Sequence, residues 1–451
     1  MRQLHDSHNR RVERNRSEKS VEMSDASSRL TGRRIGFVST RFTGTDGVSL
    51  ETDKWAHVLE HLGHTCFYLA GDSDRPPERS RIVPEALFSH PEIRAIYTVA
   101  FSNRTRPTTV TPRIHELTYH LKKQISAFVR DFGIELLIAE NALAIPMNIP
   151  LGLALTEFLA ETGLPAIAHH HDFFWERKRF LVNCVWDYLN MAFPPHLPSI
   201  RHVVINSSGA NQLSLRTGIS SLLIPNVMDF DHPPAPPDNY ARDVRAALGV
   251  APDEWMFLQP TRVVQRKGIE HAIELVNRLG TKACLVISHA AGDEGDDYER
   301  RVRQFAELLD VRTNFVSDII KDQRGQTPDG RKVYTLGDVY SQADLVTYPS
   351  DIEGFGNAFL EAIYYRRPLV VNNYSIFDMD IKPKGFRVIE FDGYITDETV
   401  QRVQRILQEP QLSQEMTEHN YRLAQRHYSY TTLQRRLQTL LTDCFGEPCQ
   451  D

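Results

Sequence analysis

Ser350-Asp351-Ile352-Glu353-Gly354-Phe355-Gly356-Asn357-Ala358-Phe359-Leu360-Glu361-Ala362 follows a strand-like run, Asp344-Leu345-Val346-Thr347-Tyr348-Pro349. It leads into Ala358 to Tyr365, which has helical spacing and no breaker. The stretch therefore reads as strand, glycine-rich turn and helix, the repeating unit of a doubly wound α/β sheet. Glu353 falls in the turn and Glu361 in the first helical turns, with seven residues between them. Gly354 and Gly356 leave the backbone N–H groups of Phe355, Gly356 and Asn357 open to a ligand, and a helix N-terminus favours a phosphate there. One carboxylate can then hold the hydroxyls of a ribose and the other those of a second sugar. The plain alternative is a strand-turn-helix carrying two surface glutamates.

A second cluster weighs against that alternative. Phe257-Leu258-Gln259-Pro260-Thr261-Arg262-Val263-Val264-Gln265-Arg266-Lys267-Gly268 ends a buried-looking strand with cations, just before the helical run from Ile269 to Val276. Arg262 and Lys267 thus sit at the carboxyl end of a strand, where ligands of such sheets bind. A fixed guanidinium fork plus a mobile ammonium suits a diphosphate. Two other readings stay open: Arg266 is the working cation in place of Lys267, or all three are solvated surface charges.

The N-terminal half repeats the strand-helix pattern. Arg34-Ile35-Gly36-Phe37-Val38-Ser39-Thr40 is a strand, Arg41 to Val48 a glycine loop, and Ser49 to Leu59 a helix. The loop is not GxGxxG, which disfavours a dinucleotide site. Glu135 to Glu140 and Pro165 to Asp172 read as buried strands, the second ending His169-His170-His171-Asp172. A metal cluster is disfavoured there, because adjacent strand residues point to opposite faces and cannot all converge. Phe173 to Phe180 mixes aromatic and basic groups, as a sugar and an anionic acceptor would require, or as a lid packed on the core. His202 to Ser207 and Ser221 to Val227 read as further strands. Asp231-His232-Pro233-Pro234-Ala235-Pro236-Pro237-Asp238 is a stiff linker that marks a boundary. Ala283 to Ser288 and Pro368 to Asn373 add strands to a second doubly wound sheet, and Tyr430 to Leu441 reads as an amphipathic helix. Asp378-Met379-Asp380 and Asp293-Glu294-Gly295-Asp296-Asp297 are discounted as metal sites.

The chain of 451 residues suits two domains rather than one core. A net charge of -6 gives no reason to expect nucleic acid as a partner. No apolar run is long enough to span a bilayer, and the start lacks a signal-peptide pattern. The five cysteines are odd in number and scattered, which points to a reduced, cytoplasmic setting. Met1 to Leu30 is charged, polar and poor in large apolar residues, so a passive disordered tail is expected, with Met23 as an alternative start.

Arg262 with four residues before Lys267, and Glu353 with seven before Glu361 roughly ninety residues later, resemble the signature of retaining glycosyltransferase family 4. The resemblance covers the chain from about Arg33 to its end. It implies an α/β fold of the GT-B type, two Rossmann-like doubly wound domains facing a cleft, with the C-terminal helix crossing back to the first domain. The expected divisions are a tail at 1–30, an acceptor-binding domain at 31–230, a donor-binding domain at 231–428 and the returning helix at 429–451. The implied reaction moves a hexose from a nucleoside diphosphate sugar to a hydroxyl of a small acceptor, with retention and with no metal or other cofactor. Arg262 and Lys267 would hold the leaving diphosphate, Glu353 the hexose, Glu361 the ribose, and Gly354, Phe355, Gly356, Asn357 and Gly47 would complete the donor site. His171 would orient the sugar as a catalytic residue beside Arg262, Lys267 and Glu353. Asp46, His170 and Asp172 would face the acceptor.

The loop Gly44 to Glu51 and the stretch His169 to Phe173 look like those of family members that glycosylate small polar solutes such as glucosylglycerate with mannose. A nucleotide-sugar epimerase or hydrolase, and a binding protein without turnover, are the competing functions on the same fold.

Overall fold

The computed structural model describes residues 32–44, 46–291 and 295–446. Met1 to Leu30, Thr45, the Asp293-Glu294 pair and Cys449 lie outside the described residues. The chain divides into two compact units: residues up to Val204 with Gln212–Leu222 and the segment from Leu433, and Ile205–Asn211 with Leu223–Thr432.

The first unit is built on β1 (Arg34–Val38), β2 (Thr65–Ala70), β3 (Ser80–Ile82), β4 (Leu136–Glu140), β5 (Ala166–His170), β6 (Ile200–Val204) and β7 (Leu222–Leu223). They line up as β3-β2-β1-β4-β5-β6-β7, and the pairs from β3 through β6 are parallel. The strands read as continuous apolar runs because helices cover both faces of a parallel sheet. Three of these helices are α1 (Gly47–His61), α2 (Val110–Phe132) and α3 (Ile149–Thr162). Helix α2 buries Ile114, Leu117, Leu121, Ile125 and Phe128, a stripe at three- and four-residue spacing, and stops at Gly133 in the left-handed region. From Leu433 on, the C-terminal helix Tyr430–Phe445 packs in this unit, burying Leu433, Leu437, Leu440 and Leu441. Arg33 lies over the Phe445 ring at 4.4 Å. The run at Ser221 to Val227 forms only the two-residue β7, since Pro225 removes a ladder donor.

The second unit holds β8 (Trp255–Gln259), β9 (Ala283–Ile287), β10 (Thr313–Phe315), the hairpin β11 (Gly325–Gln326) and β12 (Lys332–Val333), β13 (Leu345–Tyr348), β14 (Leu369–Asn372) and β15 (Ile389–Phe391). Its main sheet has the order β10-β9-β8-β13-β14-β15, parallel throughout. Helices α4 (Ile269–Leu279) and α5 (Asn357–Tyr364) follow β8 and β13. Because β8 and β13 are neighbours, the loops leaving them emerge side by side at the carboxyl edge, and the chain order reverses there. Burial of side chains such as Leu258, Val286, Val346 and Phe359 holds this frame, each contributing about 1.5–3 kcal/mol. Among the described residues no helix is long and apolar enough to cross a membrane.

Candidate active site

In the second unit, β8 ends in Thr261 and Arg262, and the chain makes one short turn, Gln265–Lys267, before α4. Gly268 closes that turn at φ +56°, and a Cβ there would stand 2.5 Å from the Pro349 carbonyl oxygen. Only glycine lets the two loops approach this closely. The approach brings the ammonium of Lys267 onto the Glu353 carboxylate, which it contacts as a hydrogen-bonded ion pair. Arg266 stands 3.5 Å from the other carboxylate oxygen. Both members of the central pair are about nine-tenths buried, with side-chain exposures of 11% and 9%. Burial alone would raise the Glu353 pKa, but Lys267 and then Arg266 outweigh it and hold the carboxylate below its usual range. Arg262 is exposed; its carbonyl accepts from the Val264 amide at 3.0 Å, while its guanidinium has no hydrogen-bond or ion-pair partner among the described residues, so the fork is available to a ligand.

The glycine turn is fixed from below. Gly356 caps α5 at φ +127°, where a Cβ would lie 2.6 Å from the Tyr374 hydroxyl. That hydroxyl donates to the Phe355 carbonyl at 2.8 Å, and Asn206 donates to the Gly354 carbonyl at 2.6 Å. Asn226 donates to the Asn357 side chain at 2.7 Å. One turn into α5, Glu361 accepts from the Tyr340 hydroxyl at 2.9 Å. Arg262, Lys267, Glu353, Gly354, Phe355, Gly356, Asn357 and Glu361 therefore share the two adjacent loops and the start of α5.

Sequence reasoning missed His289, which follows β9 at the same sheet edge. Its Nδ1 lies 2.8 Å from the Ser288 hydroxyl. Burial, then Lys267 and Arg262, depress its pKa, so it joins the cation cluster as a neutral ring. The signal was a polar Ser288-His289 pair directly after an apolar strand.

In the first unit, Asp46 is the N-cap of α1: its carboxylate accepts from the Val48 and Ser49 amides at 3.1 and 3.2 Å and pairs with Arg41 at 3.0 Å. Gly47 is exposed at the first position of the helix. At the end of β5, alternation separates the histidines. His170 is 1% exposed, lies 2.9 Å from His202 through ring nitrogens and stacks on it. His170, expected to face an acceptor, has its ring on the packed face of the sheet, between Phe173 and His202. His171 keeps 10% side-chain exposure, and Asp172 is held by Asn141 at 2.9 Å and by Arg177.

His169 and His171 share a face and meet Glu140 from β4. Glu140 Oε2 lies 2.9 Å from His169 Nδ1 and 3.5 Å from His171 Nε2. One ligand atom from each of the three residues falls within 4.8 Å of the others. The argument that neighbouring histidines cannot converge holds for His170, but residues two apart on a strand do converge, and the carboxylate comes from the next strand.

A profile of the family described as Glycosyl transferases group 1 matches residues 328–423. A mannosylglucosylglycerate synthase of Petrotoga mobilis is 31% identical over 385 residues, 79% of this chain and 86% of its own. The chain belongs to the glycosyltransferase family of the mannosylglucosylglycerate synthases. A second such synthase, from Thermotoga maritima, is 29% identical over 441 residues, 89% of this chain and 98% of its own. A glycosyltransferase of known structure from Rickettsia africae matches with a TM-score of 0.65 at 13% identity, covering 92% of this chain and 100% of its own. That likeness shows the fold: two Rossmann-like sheets of the GT-B architecture. The buried Lys267–Glu353 pair and the Arg262 side chain fall at the carboxyl edge of the sheet, where ligands of open α/β sheets bind.

Proposed function

We propose that this glycosyltransferase moves a hexose, mannose in the first instance, from a nucleoside diphosphate sugar to a hydroxyl of a small polar acceptor of the glucosylglycerate kind. The observation that carries the reading is the cation set at the carboxyl edge of the second sheet: Lys267 fixed by Glu353, beside an exposed Arg262 whose guanidinium has no partner among the described residues. The names of the two synthases support the acceptor and the hexose.

In this reading the bond from the anomeric carbon to the diphosphate breaks, with its electron pair going to the phosphate oxygen. Arg262 and Lys267 stabilise that growing charge, which is preorganised electrostatic catalysis. Glu353 accepts from hexose hydroxyls and Glu361 from the ribose, while Gly354 to Asn357 and Gly47 offer backbone N–H groups to the phosphates. The acceptor hydroxyl bonds to the anomeric carbon from the face the diphosphate leaves, and its proton passes to the departing phosphate, so configuration is retained, as in the retaining glycosyltransferase family 4 that the motifs resemble. No carboxylate pair of the kind that double displacement uses is needed. His171 orients the sugar, and Asp46 and Asp172 face the acceptor.

The diphosphate is neutralised by side chains, so the reaction runs without a metal. The free thiols of Cys66 and Cys284, both buried, suit a reducing compartment such as the cytoplasm. The test is product analysis. Incubation with mannose and glucose donors and glucosylglycerate yields a new glycoside whose anomeric configuration, read by NMR, equals that of the donor. An inverted product overturns the mechanism, and an altered donor with no glycoside returns the epimerase reading.

A further inference from the structure

Two arginines stand at the carboxyl edge of the first sheet, and each is held by an aspartate whose two oxygens are both in use. After β1, Asp46 accepts the Val48 and Ser49 amides on Oδ1, and the Ser49 hydroxyl and Arg41 Nη2 on Oδ2. After β5, Asp172 accepts from Asn141 Nδ2 on Oδ1 at 2.9 Å and from Arg177 Nε on Oδ2. In the second pair the cation is the more open partner, with side-chain exposures of 45% for Arg177 and 18% for Asp172.

Asn141 ties that pair to the end of β5. It follows β4 at φ +56°, in the left-handed region that a residue other than glycine seldom adopts. In this conformation its amide donates to the His169 carbonyl at 2.9 Å. Its side-chain oxygen accepts from the His171 amide at 3.1 Å, and its side-chain nitrogen donates to Asp172. One buried side chain therefore fixes both the backbone of His171 and the carboxylate that holds Arg177. Arg177 spends Nε on the aspartate, and its two terminal nitrogens have no hydrogen-bond partner among the described residues. Lys178 and Arg179 follow it and are exposed, so the segment stays cationic beyond the pair.

We propose that Arg177 is a specificity-determining residue that reads the carboxylate of the acceptor. The assignment rests on the reading of the acceptor as a small solute of the glucosylglycerate kind, and it names the feature of that solute which the first unit selects. The carboxyl group of a glycerate is ionised at neutral pH. The terminal N–H donors of a guanidinium lie in one plane and match the two oxygens of a carboxylate, which the point charge of a lysine does not. A guanidinium already held through Nε by Asp172 loses little further freedom when it binds. Asp172 then faces the acceptor through the arginine it holds. Arg41 is the competing cation, but its guanidinium lies over the Phe88 ring, and no described residue ties it to His171.

The experiment measures kcat and KM for glucosylglycerate and for glucosylglycerol, the neutral analogue with CH2OH in place of the carboxylate. It compares the wild type, Arg177→Gln, Arg177→Lys and Arg41→Gln, with nucleoside diphosphate affinity measured on each. The wild type should favour glucosylglycerate by about tenfold to a hundredfold in kcat/KM, the worth of hydrogen bonds between charged groups, with the difference in KM. Arg177→Gln should erase that preference. Arg177→Lys, which keeps the charge beside Asp172, should retain part of it, and diphosphate affinity should not move.

A preference that survives in Arg177→Gln, or that Arg41→Gln erases instead, overturns the assignment to Arg177. Equal use of both acceptors by the wild type overturns carboxylate selection and leaves glycosyl transfer standing. Transfer to neither, with another hydroxyl acceptor used, overturns the acceptor reading beneath it. Should Arg177→Gln fail to fold, Arg177→Lys decides: a reduced preference supports the assignment, and an undiminished one overturns it.

Discussion

The two sites each bury a glutamate, and they balance it in different ways. Glu353 meets a lysine and an arginine, and although burial lowers the Lys267 pKa, the Glu353 charge works against that lowering. Glu140 meets two histidines, a residue type that carries charge only when protonated. The first arrangement suits a fixed electrostatic cradle for a diphosphate, and the second suits a group whose orientation and charge are tuned to a narrower range of pH.

The variants that separate the two sites begin with Glu353→Ala, which strips the carboxylate from Lys267 and leaves that ammonium buried beside Arg266. It should cost about 3–5 kcal/mol of stability, read as the denaturant midpoint. Lys267→Ala leaves Glu353 with Arg266 and should destabilise less. It should instead lower kcat by roughly a hundredfold or more, the order expected for losing one charge stabiliser. Near-normal turnover would remove Lys267 from the reaction. Gly356→Ala forces a left-handed backbone onto a residue whose Cβ meets the Tyr374 hydroxyl at 2.6 Å. A loss of about 1–3 kcal/mol is expected in thermal unfolding, with weakened diphosphate binding.

Glu361→Ala should weaken nucleotide affinity about tenfold, the worth of one good charged hydrogen bond, with little change in kcat. Unchanged affinity by calorimetry would sink the ribose assignment. Smallest is the pH response at fixed composition. In the wild type, kcat should fall on the basic side as His171 loses its proton, its pKa being raised by Glu140 against the lowering by burial, and a level kcat there would remove the His171 charge from turnover.

The comparison also separates what the sequence makes readable from what it hides. Lys267 and Glu353 were legible because each lies in the short loop between an apolar strand and a helix, so their place at the sheet edge needs only local pattern and the rule for ligand sites in open sheets. Glu140 stood at the end of a run read as a strand, but its partnership depends on the parallel register that sets it beside His169, and register between distant strands leaves no local trace. The alternation that disfavoured a three-histidine cluster also separates His170 from His171, and applying it to each residue singly would have turned His170 to the packed face. Asp46 ahead of Gly47-Val48-Ser49 has the composition of a helix N-cap, and its carboxylate takes that role at the start of α1. The 23-residue helix α2 carries a regular apolar stripe, a pattern that marks a buried helix face but not which strand it covers.

The most direct test measures nucleoside diphosphate release from UDP-, GDP- and ADP-hexoses in EDTA, with and without glucosylglycerate, for the wild type and Lys267→Ala. The account predicts release from one donor that depends on the acceptor, survives the chelator and drops by about a hundredfold in the variant. Release that needs no acceptor, that stops with EDTA, or that Lys267→Ala leaves intact would contradict it.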